Sequence, residues 1–150
     1  MNFAPELRQA ISALLDETTT LTLATLDPGG GPRATPLYFV YDHELRLTFL
    51  SEASTQHCLN LAADPRAAVA VYPEESDWRL LRGLQMRGRV AALVGHDREQ
   101  ALAGYRSRFP FVEALSEMVD SSQPYRFAPD WIRYLDNRRG FGFKQEVQLS

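Results

Sequence analysis

The chain carries one cysteine and one lysine in 150 residues. With Cys58 alone, no intrachain disulfide and no cysteine-based metal site can form. A lone thiol also fits a reducing compartment. Lys144 is the only amine side chain on which Schiff-base or lysine-nucleophile chemistry could rest. No run approaches the ~18 apolar residues of a membrane span, so no membrane partner is expected. A basic stretch followed by an apolar run, the mark of a signal peptide, is missing at the N-terminus. A cytoplasmic location is the expectation. A surplus of positive charge is also lacking: the net charge is −3, whereas nucleic-acid binders carry basic patches. His43 and His96 have no Cys or carboxylate pattern at metal-ligand spacing, so no metal site is expected.

What is present suffices for a folded core. The chain is 45% hydrophobic and 23% charged, a balance that does not favour disorder, and its length suits one domain spanning residues 1–150. Phe3, Leu7, Ala10, Ile11, Leu14 and Leu15 recur at helical spacing over Phe3–Glu17. Leu21–Leu26 reads as a strand, broken by Asp27-Pro28-Gly29-Gly30-Gly31-Pro32. Arg33–Tyr41 resumes, Asp42-His43-Glu44 turns, and Leu45–Leu50 returns. Thr55–Ala63 reads as a helix that stops before Asp64-Pro65, since a residue preceding proline avoids the helical region. Ala67–Tyr72 is a fourth strand and Trp78–Leu93 a long fifth. Gly83 and Gly88 within it suggest bends or bulges. Asp97 caps a helix through Arg108, and Phe111–Val119 gives a further helical turn or two. Ser121–Pro124 reads as a loop, and Trp131–Leu135 and Gly140–Leu149 as the last strands. The sum is a mainly β (α+β) chain with six or seven antiparallel strands in a small barrel, covered by about three helices.

Alternation along the strands adds detail. Leu84, Met86 and Val90 define a core face of the fifth strand, with Gln85, Arg87 and Arg89 on the other. In Arg33–Tyr41 both faces are apolar, with Leu37 and Phe39 on one and Tyr38 and Val40 on the other. A strand of that kind needs cover on both sides, which points to a homodimer. A hydroxyl-rich strand end feeding a helix start (Ser51, then Thr55) suits an anion, because free N–H groups and the helix dipole converge there.

The order of these elements is similar to a known family. The segments "TLTLATLDPGGGPRATPLYFVYD", "LRLTFLSEASTQH", "NLAADPRAAVAV" and "LRGLQMRGRV" resemble the FMN-binding split-barrel proteins related to pyridoxamine 5′-phosphate oxidase. The tail, "YRSRFP" then "DNRRGFGF", resembles a small, poorly characterised bacterial subgroup. The resemblance implies a dimer of split barrels with FMN at the subunit interface. It places the phosphate-binding Arg at Arg33 and the flavin ring along Thr35, Pro36 and Leu37. It places the strand-end hydroxyl at Ser51, and the Ser-Arg-Lys clamp on Thr55, Gln56 and His57. The clamp thus keeps its hydroxyl and loses two fixed cations, which would hold a phosphate by charge-assisted bonds. The family's flavin-contacting Gln falls at Gly83, with Gln85 two residues on as a substitute. The Trp of its "EFW" motif falls at Leu135, with Trp131 near, and its C-terminal Arg-Leu-His-Asp-Arg substrate segment has no counterpart. Pyridoxamine phosphate oxidation is therefore not expected.

Plainer readings stand beside these. Ser51 and Thr55 are also ordinary cap residues, and His57 an ordinary surface helix residue. Cys58 reads as a buried structural thiol, since neighbours on a helix do not face one another. Arg79, Arg82, Arg87 and Arg89 read as a solvated or interface face, or as the wall of an anionic groove. No side chain stands out as a general acid or base. The leading expectation is a homodimeric flavoprotein acting as a small oxidoreductase of unknown substrate. The alternative is a binding module of the same fold that holds haem, a deazaflavin or no cofactor.

Overall fold

The computed structural model describes residues 3–149. Its elements are α1 (Pro5–Glu17), β1 (Thr20–Leu26), β2 (Pro32–Tyr38), β3 (Val40–Tyr41), β4 (Leu47–Ser51), α2 (Gln56–Ala63), β5 (Arg66–Val71), β6 (Arg82–Ala92), α3 (Gly95–Arg108), α4 (Ser116–Ser121), β7 (Gln123–Asp136) and β8 (Lys144–Gln148). Short 3-10 turns sit at Trp78–Leu80, Pro110–Leu115 and Asn137–Arg139. The strands form one antiparallel sheet in the order β2-β1-β5-β6-β7-β4-β3, with β8 added beside β7. The sheet curls into a split barrel, as the sequence suggests.

β7 is the spine. One edge pairs with β6 along nearly its full length. The other edge pairs with β4 over Gln123–Phe127 and with β8 over Trp131–Leu135. Two partners that share one edge in succession split the barrel. The β6–β7 register shifts between Arg87 and Gly88. A Cβ at Gly88 would collide with the Ala128 carbonyl and lie 2.9 Å from the Pro129 Cα. Glycine is required there by close backbone approach. Gly83 causes no such break; a Cβ there would meet Tyr72 at an ordinary 3.6 Å.

Inward side chains alternate as the sequence predicts. Leu21, Leu23, Val69, Leu84, Met86, Phe127 and Ile132 fill the interior. The apolar stripe of α1, Leu7, Ile11, Leu14 and Leu15, joins the same core. Burying each such side chain contributes roughly 1.5–3 kcal/mol. A smaller core under α3, the 3-10 turn after it and α4 holds Leu102, Tyr105, Phe109, Val112 and Val119.

Several expected boundaries move. Arg33–Tyr41 is two strands, because Phe39 leaves the ladder to be fully buried while its N–H bonds Thr19 O at 3.2 Å. The next strand starts at Leu47, because Leu45 adopts a left-handed turn with φ 61. Asp42 closes that turn by accepting from the N–H groups of Glu44 and Arg46. α3 starts at Gly95, so Asp97 lies in its first turn and does not cap it. Trp78–Leu80 is a 3-10 turn and no strand, with the Asp77 side chain accepting from Arg79 N–H. Gly140 and Gly142 have φ 130 and 75, so they form a turn before β8. The expected loop Ser121–Pro124 is instead the end of α4 and the start of β7.

Candidate cofactor site

β4 ends at Ser51, and two turns of α2 begin five residues later. Ser51 Oγ lies 2.6 Å from His57 Nε2 and 3.5 Å from Thr55 Oγ1, and Thr55 Oγ1 lies 3.3 Å from the same nitrogen. Two hydroxyls and an imidazole thus converge where the strand meets the helix. Thr55 is the N-cap residue but makes no side-chain cap; its hydroxyl donates to Glu52 O at 2.8 Å instead. The first-turn N–H groups of α2 therefore have no side-chain acceptor, and the positive end of the helix dipole faces the same spot.

His57 is buried rather than a surface helix residue. Its ring packs 6.5 Å from that of Phe49, which stacks on Tyr125 at 5.4 Å. Cys58 belongs to the barrel core. Burial pushes its thiol up, but hydrogen bonding with His57, Thr55, Tyr125 and Ser51 outweighs this and holds it below the ordinary thiol range. Helix geometry alone would part Cys58 from His57; the tight join between β4 and α2 brings both into one polar cluster.

Gln56 and Arg33 belong to a second network. Gln56 Nε2 donates to Asn60 Oδ1 at 2.8 Å. Asn60 Nδ2 donates to Thr25 Oγ1 at 3.1 Å and to Asp27 Oδ1 at 2.8 Å. Asp27 then accepts a two-point pair from Arg33, at 2.8 and 3.1 Å. Hydrogen bonds from Arg33 and Asn60 hold the Asp27 carboxyl below its usual range. The Arg33 charge is thus met by a carboxylate from its own turn. Asn60 and Asp27 escaped the sequence reading. Asp27 looked like a turn residue, and the partners of Asn60 on the sheet side, Thr25 and Asp27, lie more than thirty positions away.

The remaining expected residues lie on the sheet. Thr35, Pro36 and Leu37 pair with Leu23, Thr22 and Leu21 on β1. Thr35 and Leu37 face inward, and Leu37 packs against the core. Pro36 faces outward in a row that runs Pro36, Thr22, Ala70, Gln85, Arg133, Glu146 across six strands. The next row runs Ala34, Ala24, Ala68, Arg87, Trp131, Gln148. Small side chains leave a shallow floor on β1 and β5. Trp131 rises beside it, between Arg87 at 4.5 Å and Arg133 at 5.3 Å. Gln85 accepts from Arg133 at 3.5 Å and lines a groove of about 580 Å³ with Ala70 and Tyr72. So Gln85 belongs to the outer sheet face. The four arginines do not form one wall: Arg79 pairs with Asp77, Arg82 with Glu17, and Arg87 stacks on Trp131.

Among the described residues, no helix is long and apolar enough to cross a membrane. No group of three His, Cys, Asp or Glu is placed there to hold a metal ion.

An eight-stranded antiparallel split barrel with a polar strand-to-helix junction defines a class. The pyridoxamine 5′-phosphate oxidase family model matches residues 7–136, and the chain belongs to that family. It is 31% identical over 137 residues to the UPF0306 protein YhbP of Escherichia coli O157:H7, covering 90% of this chain and 88% of that protein. Solved structures share the fold. A heme binding protein from Mycobacterium smegmatis superposes with TM-score 0.82 at 20% identity, covering 98% of this chain and 60% of that one. HutZ, described as a heme storage protein from Vibrio cholerae, superposes with TM-score 0.68 at 22% identity, covering 86% and 91%.

Proposed function

We propose that this protein is a homodimeric flavoprotein that binds FMN non-covalently and serves as a small oxidoreductase. The observation that carries this is the junction of β4 and α2. Ser51 and Thr55 hydroxyls and the uncapped N–H groups of α2 meet there at the family's phosphate position. Hydroxyls and backbone N–H groups suit a phosphate, and His57 Nε2 holds the two hydroxyls together at 2.6 and 3.3 Å. Arg33 and Gln56 flank the cradle through the Asp27–Asn60 network. The backbone of Thr35, Pro36 and Leu37 would support the ring, with Gln85 contributed from the outer sheet face. Bound flavin supplies hydride transfer; the chain supplies binding, orientation and exclusion of water. The small-residue rows on the outer sheet provide a surface flat enough for a second copy. No catalytic side chain and no metal are assigned.

A second reading is a haem-binding module. The descriptions of the two structural neighbours above motivate it, as does the replacement of the clamp's two fixed cations by Gln56 and His57. His57 is ill placed as an axial ligand, because Ser51 occupies its Nε2 at 2.6 Å. The absorbance of the freshly purified protein, followed by titration with FMN and with haemin, separates the two. Flavin bands, or saturable FMN binding, support the first reading. A Soret band with no response to FMN would replace it with the second. Gel filtration with light scattering tests the dimer.

A further inference from the structure

A cavity of about 540 Å³ lies between the end of α1, the β3–β4 hairpin and α3. It shares no residue with the α2 cradle, and its volume falls in the ordinary range of small-molecule sites. Its floor is the outward row Val40, Thr48, Arg126 across β3, β4 and β7.

The charges around it are unevenly satisfied. Arg46 is held by Asp42 at 2.7 Å and Glu44 at 3.1 Å. Arg108 donates to the carbonyls of Phe39 and Leu15, each at 2.9 Å, and to that of Thr18. Asp16 accepts from the Tyr41 hydroxyl at 2.5 Å. Arg126 differs: its Nε is buried without a hydrogen-bond partner. A buried donor left unpaired costs free energy, and native structures rarely keep one without a use. The lining thus holds three guanidinium groups against two carboxylates, and the cation without an acceptor stands on the floor.

Gly104 is an independent sign. It sits inside α3, where glycine weakens a helix relative to alanine. A Cβ there would meet nothing within 4 Å, so no contact within the protein demands glycine. Gly104 does line the cavity, where the missing side chain leaves room.

We propose that this cavity binds a small monocarboxylate, gripped by Arg126 with Thr48 beside it and accommodated by the bare backbone of Gly104. A guanidinium matches a planar carboxylate through two parallel N–H bonds. A single guanidinium without an acceptor suits a monoanion better than a phosphate dianion. Val40, Ala101 and Gly104 offer an uncharged side for the ligand's body.

The test is calorimetric titration of the whole protein with benzoate, and separately with inorganic phosphate. Benzoate binds saturably in the low-millimolar range or tighter. Arg126→Gln weakens it by at least about tenfold, the loss of one charge-assisted contact. Gly104→Leu abolishes it while the melting temperature is kept or raised, which separates blocked binding from failed folding. Absence of benzoate binding up to about 10 mM would overturn the proposal. Benzoate affinity unchanged in both variants, or binding of phosphate alone, would overturn it equally.

Discussion

The α2 cradle and the α3 cavity are both built where anions would be welcome, yet they handle charge in opposite ways. In the cradle the fixed cation, Arg33, is already paired with Asp27, the Thr55 hydroxyl donates to Glu52 O, and the donors without a side-chain acceptor are the first-turn N–H groups of α2. In the cavity one guanidinium nitrogen is left over. The lesson is that counting arginines does not locate a binding site; asking which donor lacks an acceptor does. A cradle of neutral donors binds a phosphate by geometry and helix dipole. A cation without an acceptor binds a charge.

Breaking the shared support tests the comparison most severely. β7 carries Arg126 in one half, and the other half shapes the outer face through Trp131. Gly88→Ala forces a Cβ into the Ala128 carbonyl at the bulge. We expect a loss above about 3 kcal/mol in urea unfolding, with both sites lost together, since backbone clashes in a core strand belong to the severe class. Gly83→Ala, with room for its Cβ, should stay within about 1 kcal/mol.

Asn60→Ala acts on one region only. It strips partners from Gln56, Thr25 and Asp27. Leaving buried polar groups unpaired costs about 2–3 kcal/mol, so the melting temperature falls and FMN binding weakens. Benzoate binding in the α3 cavity should persist wherever the protein remains folded.

Ser51→Ala removes one hydroxyl from the cradle with little effect on stability. FMN affinity should fall about five- to tenfold, the worth of one hydrogen bond near 1 kcal/mol, as read by flavin fluorescence.

The smallest effect sharpens the contrast most. Asp27→Asn releases Arg33 while keeping an acceptor for Asn60. FMN affinity should rise roughly threefold as the cation becomes available. The same variant alters acid sensitivity. The folded Asp27 carboxyl lies below its ordinary value because Arg33 and Asn60 bond its ionised form. That contribution is present above the unfolded value of about 4 and is lost as pH falls through the lower folded value. Wild type should therefore lose more stability between about pH 6 and about pH 3 than Asp27→Asn does. Equal slopes in thermal melts would contradict the pairing.

Much of this was legible in the chain. Leu7, Ile11, Leu14 and Leu15 announced α1, and the alternation of Leu84, Met86 and Val90 gave β6 its inner face. Asp64-Pro65 marked the end of α2, and Gly88 the bulge. Ser51 and Thr55 were placed near one another from strand and helix order, and His57 with them by the family resemblance, and the three do meet. What stayed hidden depends on long-range pairing. Ser121–Pro124 read as a loop and the strand as starting at Trp131, so the first half of β7 was missed. Pro124 lies beside Leu50, its carbonyl accepting from Leu93 N–H, and Pro129 sits at the bulge opposite Gly88. Neither proline ends the strand. The Asp27–Arg33 pair was invisible because Asp27 looked like a turn residue and Arg33 was assigned to the phosphate. Arg126 gave no signal, because a missing partner is a fact of three dimensions.

The central claim is that the start of α2 holds a flavin phosphate. FMN titration into wild type, Ser51→Ala and Thr55→Ala, followed by flavin fluorescence, tests it most directly. The account predicts saturable binding to wild type and about tenfold weaker binding when either hydroxyl is removed. Failure of wild type to bind FMN, or equal affinity in all three proteins, would contradict it.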